Sequence, residues 1–208
     1  MGALVKACPA ELAPLLRHQV LPEGGHLFRQ GESSQSLWLV KTGLIVVGRT
    51  GADHEDHPLG FVGQGHVLGV QALAGLHASV WAKAEYESTV CLLPVDALAA
   101  GWEKSASGVW QQLVEQSVDA LIGWAVVSRK QRVKSRVMAA LRLLGASQGG
   151  GRVLCPRQSH LAKVLGITRE SLGRALAELE DEGAFVRVTR TQLELQGVSP
   201  AVAGGVVY

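Results

Sequence analysis

The chain has 208 residues, 47% of them hydrophobic, with 25 glycines: long enough for one large or two small domains and too apolar to stay disordered. Its net charge of +2 conceals a division, since residues 1–128 hold seven Lys and Arg against twelve Asp and Glu while residues 129–208 hold thirteen against six. No apolar run reaches the ~20 residues that span a bilayer and the N-terminus carries no basic stretch followed by an apolar one, so a cytoplasmic protein is expected.

Residues 1–18 read as a short amphipathic helix with Leu12, Leu15 and Leu16 on one side. From 20 to 94 the pattern shortens into runs such as HLFRQ, SLWLVKTGLIVVGR, HPLGFVGQ and STVCLLP. Turn signals separate them at 22–25 (PEGG), 31–34 (GESS), 51–53 (GAD) and 63–65 (GQG). Short strands at regular spacing predict an antiparallel barrel or jelly roll, hollow enough for a small ligand. After Asp96 the period lengthens, and 109–144 can run as one long helix. Val114, Val118, Leu121 and Ala125 recur there at the 4-3-4 spacing of a two-helix seam, so a second copy of the chain is the expected partner. The basic run Arg129, Lys130, Arg132, Lys134 and Arg136 leads into a second apolar helical stretch, 137–144, and 147–151 (SQGGG) reads as a turn or hinge.

The stretch 158–179, QSHLAKVLGITRESLGRALAEL, reads as two helices joined by a tight turn. Leu161, Ala162, Leu165, Ile167, Leu172 and Ala175 fall inward, and Gly166 at the corner can take the left-handed conformation that the turn requires. Thr168 caps the second helix, whose first turns expose Arg169, Glu170, Ser171, Gly173 and Arg174. Arginine matches the two acceptors on guanine and glutamate accepts from the cytosine amino group, so these side chains suit the edges of base pairs in a major groove. The basic half of the chain carries this motif, as phosphate binding would require. Residues 184–195 alternate in two runs about 189–191 (TRT), a β-hairpin wing, and 198–208 reads as a tail.

A roll, a long helix, a helix-turn-helix and a wing, in that order, resemble the cyclic-AMP receptor protein/fumarate–nitrate reductase regulator superfamily of bacterial transcription factors. The resemblance covers almost the whole chain and is strongest in GITRESLGRALAELEDEG, with support from FRQGESSQSLWLVKTG and GQGHVLG. It implies an α+β fold: an antiparallel β-roll sensor over 1–108, a dimerisation helix and hinge over 109–144, and a winged helix-turn-helix over 145–208. It also implies a homodimer that binds double-stranded DNA and RNA polymerase, with no membrane partner and no enzyme activity. Arg169, Glu170 and Arg174 match the base-contacting positions of the cyclic-AMP receptor branch, which implies TGTGA-like half-sites in an inverted repeat.

The roll departs from that branch. Its nucleotide-binding members place a glutamate just after the GxxxG turn and an arginine before a serine, where this chain has Val70 after Gly69 and Ala78 before Ser79. A buried phosphate without its counter-charge is prohibitive, so cyclic AMP is not the expected effector. The resemblance places ligand and dimer contacts near 70–78 and 118–127, with Gly69, Val70, Ala78, Ser79 and Leu121 as the candidate effector pocket. Trp81, Leu73, Leu76 and Val80 are apolar enough to fill the roll themselves.

The remaining residues bear on other sensing chemistries. Cys8, Cys91 and Cys155 form neither a disulfide framework nor a CxxC metal site, and the iron–sulfur branch's N-terminal cysteine group is reduced to Cys8. Cys8–Pro9 and Cys155–Pro156 are pairs of the kind found as haem ligands, with His66 and His77 as possible partners, and Cys155 would be a thiol switch if exposed. Cys91, in VCLL, reads as core. His54, Glu55, Asp56 and His57 share one loop, but their number and spacing close no metal site. A cupin-type metalloenzyme with a DNA-binding tail is the alternative from another class, and it lacks the HxH pair that such a site needs.

Overall fold

The computed structural model describes residues 16–96 and 107–197, with side chains from 114 onward in the second segment. Of the N-terminal helix expected over residues 1–18, residues 1–15 lie outside the described residues, as do Cys8 and the tail, and its expected end is instead strand from Arg17 onward. Among the described residues, eight strands build the roll: β1 (Arg17–Leu21), β2 (His26–Phe28), β3 (Ser36–Thr42), β4 (Ile45–Thr50), β5 (Asp56–Val62), β6 (Val67–Leu68), β7 (Trp81–Ala84) and β8 (Ser88–Pro94). They pair antiparallel in two four-stranded sheets, in the orders β1-β8-β3-β6 and β2-β7-β4-β5. A 3-10 helix, Val70–Ala74, follows β6.

The unbroken apolar run at 44–47 is explained by burial on both faces of its strand. Ile45 and Val47 point between the sheets with Leu21, Phe28, Val40, Ala82 and Val90, whereas Leu44 and Val46 point the other way with Phe61 and Trp81. That second face is what the helices cover. Helix α1 (Ser107–Ser128) lies on it, with Trp124 buried edge-on against Phe61 at 5.3 Å and its indole N–H donating to the Phe61 carbonyl at 2.8 Å. Gly60 permits this seat, because a Cβ there would overlap the Trp124 ring. Two further bonds fix the helix: Gln116 Nε2 donates to the Gly65 carbonyl and the Ser117 hydroxyl to that of Val67, each at 3.3 Å.

The single long helix expected over 109–144 is two helices. The first ends at Ser128 and α2 (Val133–Gln148) begins beyond an irregular link, 129–132, that contains neither Gly nor Pro. Tertiary bonds hold the break: Arg136 donates to the Lys130 carbonyl through Nε and Nη2, at 3.0 and 2.8 Å, and through Nη1 to the Leu165 carbonyl at 2.7 Å. Arg136 thus ties the link to the corner of the helix-turn-helix.

The C-terminal unit comprises α2, β9 (Arg152–Leu154), α3 (Gln158–Leu165), α4 (Arg169–Asp181), β10 (Phe185–Arg187) and β11 (Gln192–Leu195). β10 and β11 form the expected hairpin, and β9, which the sequence had not suggested, adds to it along β11. Val137, Leu141 and Leu144 of α2 are buried with Leu161, Leu165, Leu172, Leu176, Phe185 and Leu193. One apolar cluster therefore runs from the outer face of the roll through Trp124 and Val127 into this unit.

Candidate nucleic-acid interface and its link to the roll

The helix-turn-helix is built as its spacing predicts. Leu161, Ala162, Leu165, Leu172 and Ala175 are buried and Ile167 packs against them partly covered. Gly166 has φ of 62°, so the corner uses the left-handed conformation that glycine takes without strain. The Thr168 hydroxyl oxygen accepts from the Ser171 backbone N–H at 3.1 Å, which satisfies one of the free donors at the start of α4. Arg169, Glu170 and Arg174 are exposed, with Ser171 and Gly173 partly so. Arg174 Nη1 donates to Glu170 Oε1 at 2.8 Å, so the two candidate reading groups are paired at the surface in the free protein.

The wing packs on the same helix through β10. Thr189 Oγ1 accepts from the backbone N–H groups of Thr191 and Gln192, at 3.3 and 3.0 Å, and leaves Arg190 exposed at the tip. Of the basic run, Lys134 is ion-paired with Glu182 and Arg136 serves the link, while Arg129, Lys130 and Arg132 remain exposed.

The N-terminus of α3 is held from the roll, a contact the sequence did not reveal. Glu85, at 1% exposure in the turn between β7 and β8, accepts from the Arg157 backbone N–H at 2.8 Å through Oε1 and from His160 Nδ1 at 2.7 Å through Oε2. The adjacent Tyr86 hydroxyl donates to the Cys155 carbonyl at 2.9 Å, and Arg157 pairs with Glu23 after β1. One signal pointed to this: α3 opens on Arg157, which gives no side-chain cap, so the first-turn donors needed an acceptor from elsewhere.

The candidate effector residues are only partly brought together. The 3-10 helix that Val70 opens, just after Gly69, packs against α1, the helix carrying Leu121. Ala78 is instead buried in the roll, its carbonyl accepting from Gly31 and its N–H donating to Glu32, while Ser79 and Leu121 are exposed. Lys83 pairs with Asp56 at 3.6 Å and lies 4.6 Å over the Trp81 ring. Of the residues expected to fill the roll, Val80 packs between the sheets, but Trp81 is buried on the outer face with Leu44, Val46 and Phe61, and Leu76 is exposed.

Comparison with known proteins fits this layout. Residues 18–105 match the cyclic nucleotide-binding domain family and residues 135–197 the Crp-like helix-turn-helix domain family. The chain belongs to the cyclic-AMP receptor protein/fumarate–nitrate reductase regulator superfamily. It is similar to a cyclic AMP receptor protein of Thermus thermophilus, 26% identical over 171 residues that cover 80% of this chain and 78% of the relative. Among solved structures, FixK2 from Bradyrhizobium japonicum shares the fold with a TM-score of 0.74 at 18% identity, covering 88% of this chain and 93% of that one. The c-di-GMP responsive global regulator CLP of Xanthomonas campestris does so at 0.63 and 19%, covering 93% and 100%. The protein is thus a Crp-like transcriptional regulator with a helix-turn-helix DNA-binding domain, in a family of regulators rather than enzymes. Among the described residues no helix is long and apolar enough to cross a membrane.

The regulator's described cysteines do not offer the chemistry weighed for them. Cys91 is fully buried on β8. Cys155 is 9% exposed, and burial, opposed in part by Arg187 and aided to a lesser extent by Glu85, pushes its thiol up to about 11. A switch or a haem ligand needs the thiolate, so Cys155 fits neither role. His66, the imidazole considered beside it, is pushed below the usual range by burial and sits 3.3 Å from the Gly63 carbonyl. We expect Cys155 to react with a maleimide at neutral pH far more slowly in the folded protein than after denaturation; equal rates in a labelling time course would show an open thiol. His57 of the 51–57 loop is likewise accounted for locally, lying 3.2 Å from both Asp53 carboxylate oxygens.

Proposed function

We propose that the regulator is a homodimer that reads an inverted repeat with TGTGA-like half-sites about one helical turn apart. The observation that carries this reading is the exposed first turns of α4, where Arg169, Glu170 and Arg174 project from a helix capped by Thr168 and seated on a closed core. Two guanine-reading arginines and a cytosine-reading glutamate on one helix suit such a half-site. Val114, Val118, Leu121, Ile122 and Val126 of α1 are exposed on the side away from the roll, an apolar stripe suited to a second copy. In this reading 1–108 senses, 109–144 supplies the dimer seam and hinge, and 145–208 reads DNA in the cytoplasm alongside RNA polymerase. The link at 129–132 is the hinge, and α2 moves with the reading unit whose core it shares. Selection from randomised duplexes tests the assignment, with an inverted repeat of TGTGA-like halves as the expected outcome and an unrelated or unrepeated sequence as the contrary one.

The effector is not cyclic AMP, or there is none. Gly69, Val70, Ala78, Ser79 and Leu121, the positions that the family resemblance gives to the effector, bring no carboxylate to a ribose and no guanidinium to a phosphate. The one cation on β7, Lys83, is engaged by Asp56 and Trp81. Calorimetry should register no heat with cyclic AMP or cyclic GMP; micromolar affinity for either would overturn this.

A further inference from the structure

We propose that Glu85 of the roll is a positioning residue for DNA reading: by capping α3 it fixes the angle at which the recognition helix is presented. The inference rests on the palindrome-binding dimer proposed above. Beside the apolar cluster that runs through Trp124 and Val127 into the C-terminal unit, two polar routes connect the apolar stripe of α1 to α4. One runs along the chain through the link 129–132, which has no regular structure apart from the Arg136 bonds. The other runs through space. α1 is pinned to the roll by Trp124, Ser117 and Gln116, and Glu85 is pinned within the roll because its own N–H donates to the Leu44 carbonyl at 2.8 Å. Its carboxylate then receives the N–H of Arg157, the N-cap residue of α3, and His160 Nδ1 from the first turn. α3 and α4 share the packed core around Leu161, Leu165 and Leu172, so whatever orients the first orients the second.

The chemistry suits a fixed joint. A carboxylate at a helix N-terminus satisfies free N–H donors and meets the positive end of the helix dipole. Both its oxygens are used at a site of 1% exposure, where a charge that lost its partners without being rehydrated would be costly. The bonds from Tyr86 to the Cys155 carbonyl and from Arg157 to Glu23 flank the cap and resist rotation about it. The joint also leaves the reading face open, since Arg169, Glu170 and Arg174 are exposed while it is made. It therefore aims the recognition helix and does not mask it.

In a dimer this angle sets the separation of the two recognition helices, so the readout is the tolerance for half-site spacing. Full-length wild type, Glu85→Ala and Tyr86→Phe are titrated against a single half-site and against palindromes whose spacer is varied one base pair at a time. Wild type should favour one spacer. Glu85→Ala should flatten that preference by about tenfold, and Tyr86→Phe in the same direction by less, with single half-site affinity unchanged in both. Glu85→Gln, whose amide oxygen still accepts from Arg157, should restore part of the preference. An unchanged spacer profile in Glu85→Ala, with wild type still selecting the palindrome, overturns the joint alone. Wild type without any palindrome preference overturns the parent reading and the joint together. If Glu85→Ala does not fold, Tyr86→Phe decides: a flattened profile supports the joint and an unaltered one refutes it.

Discussion

Replacing Val118 and Leu121 together by glutamate should convert the dimer into a monomer and lower affinity for the palindrome by about 100-fold or more, while the fold of each chain survives. Both side chains are nearly half exposed, at 47% and 49%, and the same stripe of α1 adds Val114, Ile122 and Val126. The opposite side of α1 is the one that grips the roll, through Ser117 and Trp124. The substitutions therefore spare the contacts of α1 with the roll, and titration without added effector keeps the candidate effector role of Leu121 out of the readout. Four carboxylates brought into one apolar seam would be desolvated without partners, which association cannot compensate. Once the copies part, the second half-site contact is no longer intramolecular and its effective-concentration advantage is lost. Sedimentation and titration on the same samples check the two halves of this expectation. A double variant that stays dimeric would place the interface elsewhere.

Arg174→Ala should cost about 1–3 kcal/mol per half-site and relax the preference at the base it reads, with little change in non-specific binding. In the free protein Arg174 is engaged only at the surface, with Glu170 at 2.8 Å. An exposed pair of this kind is worth roughly 0–1 kcal/mol, less than a bidentate contact to guanine, so exchanging one for the other on binding is favourable. Arg174→Lys should not rescue, because an ammonium cannot present the two parallel donors of a guanidinium. Competition among half-sites randomised at one position reads the outcome directly. A variant with the same ranking of bases as wild type would remove Arg174 from the reading set.

The C-terminal unit was the most legible part of the sequence, because its constraints are local. A glycine at a left-handed corner, a threonine cap and apolar residues at helical spacing each fix structure within a few positions, as Gly166, Thr168 and Leu172 do. The roll was legible as a set of short strands, though not in its sheet orders, since pairs such as β1 with β8 join residues more than 60 apart. What the sequence concealed is tertiary in origin. Nothing between 129 and 132 breaks a helix by itself; the chain turns because α2 packs into the reading unit and Arg136 bonds across the gap. Glu85 gave no local sign of its role, since its partners Arg157 and His160 lie more than 70 residues on. The effector residues were named by resemblance, and burial of Ala78 against exposure of Ser79 and Leu121 shows how little spacing alone says about which side chains face a common space.

The central claim is that two copies of α4 enter neighbouring major grooves as a pair. The most direct measurement is equilibrium titration of the purified full-length protein, at moderate salt, against a TGTGA-type inverted repeat and against a duplex of the same composition with its order scrambled. The account predicts tight, saturable binding of one dimer to the repeat and binding weaker by about a thousandfold to the scrambled duplex. Equal affinity for the two, whichever small molecule or redox state is supplied, would contradict it.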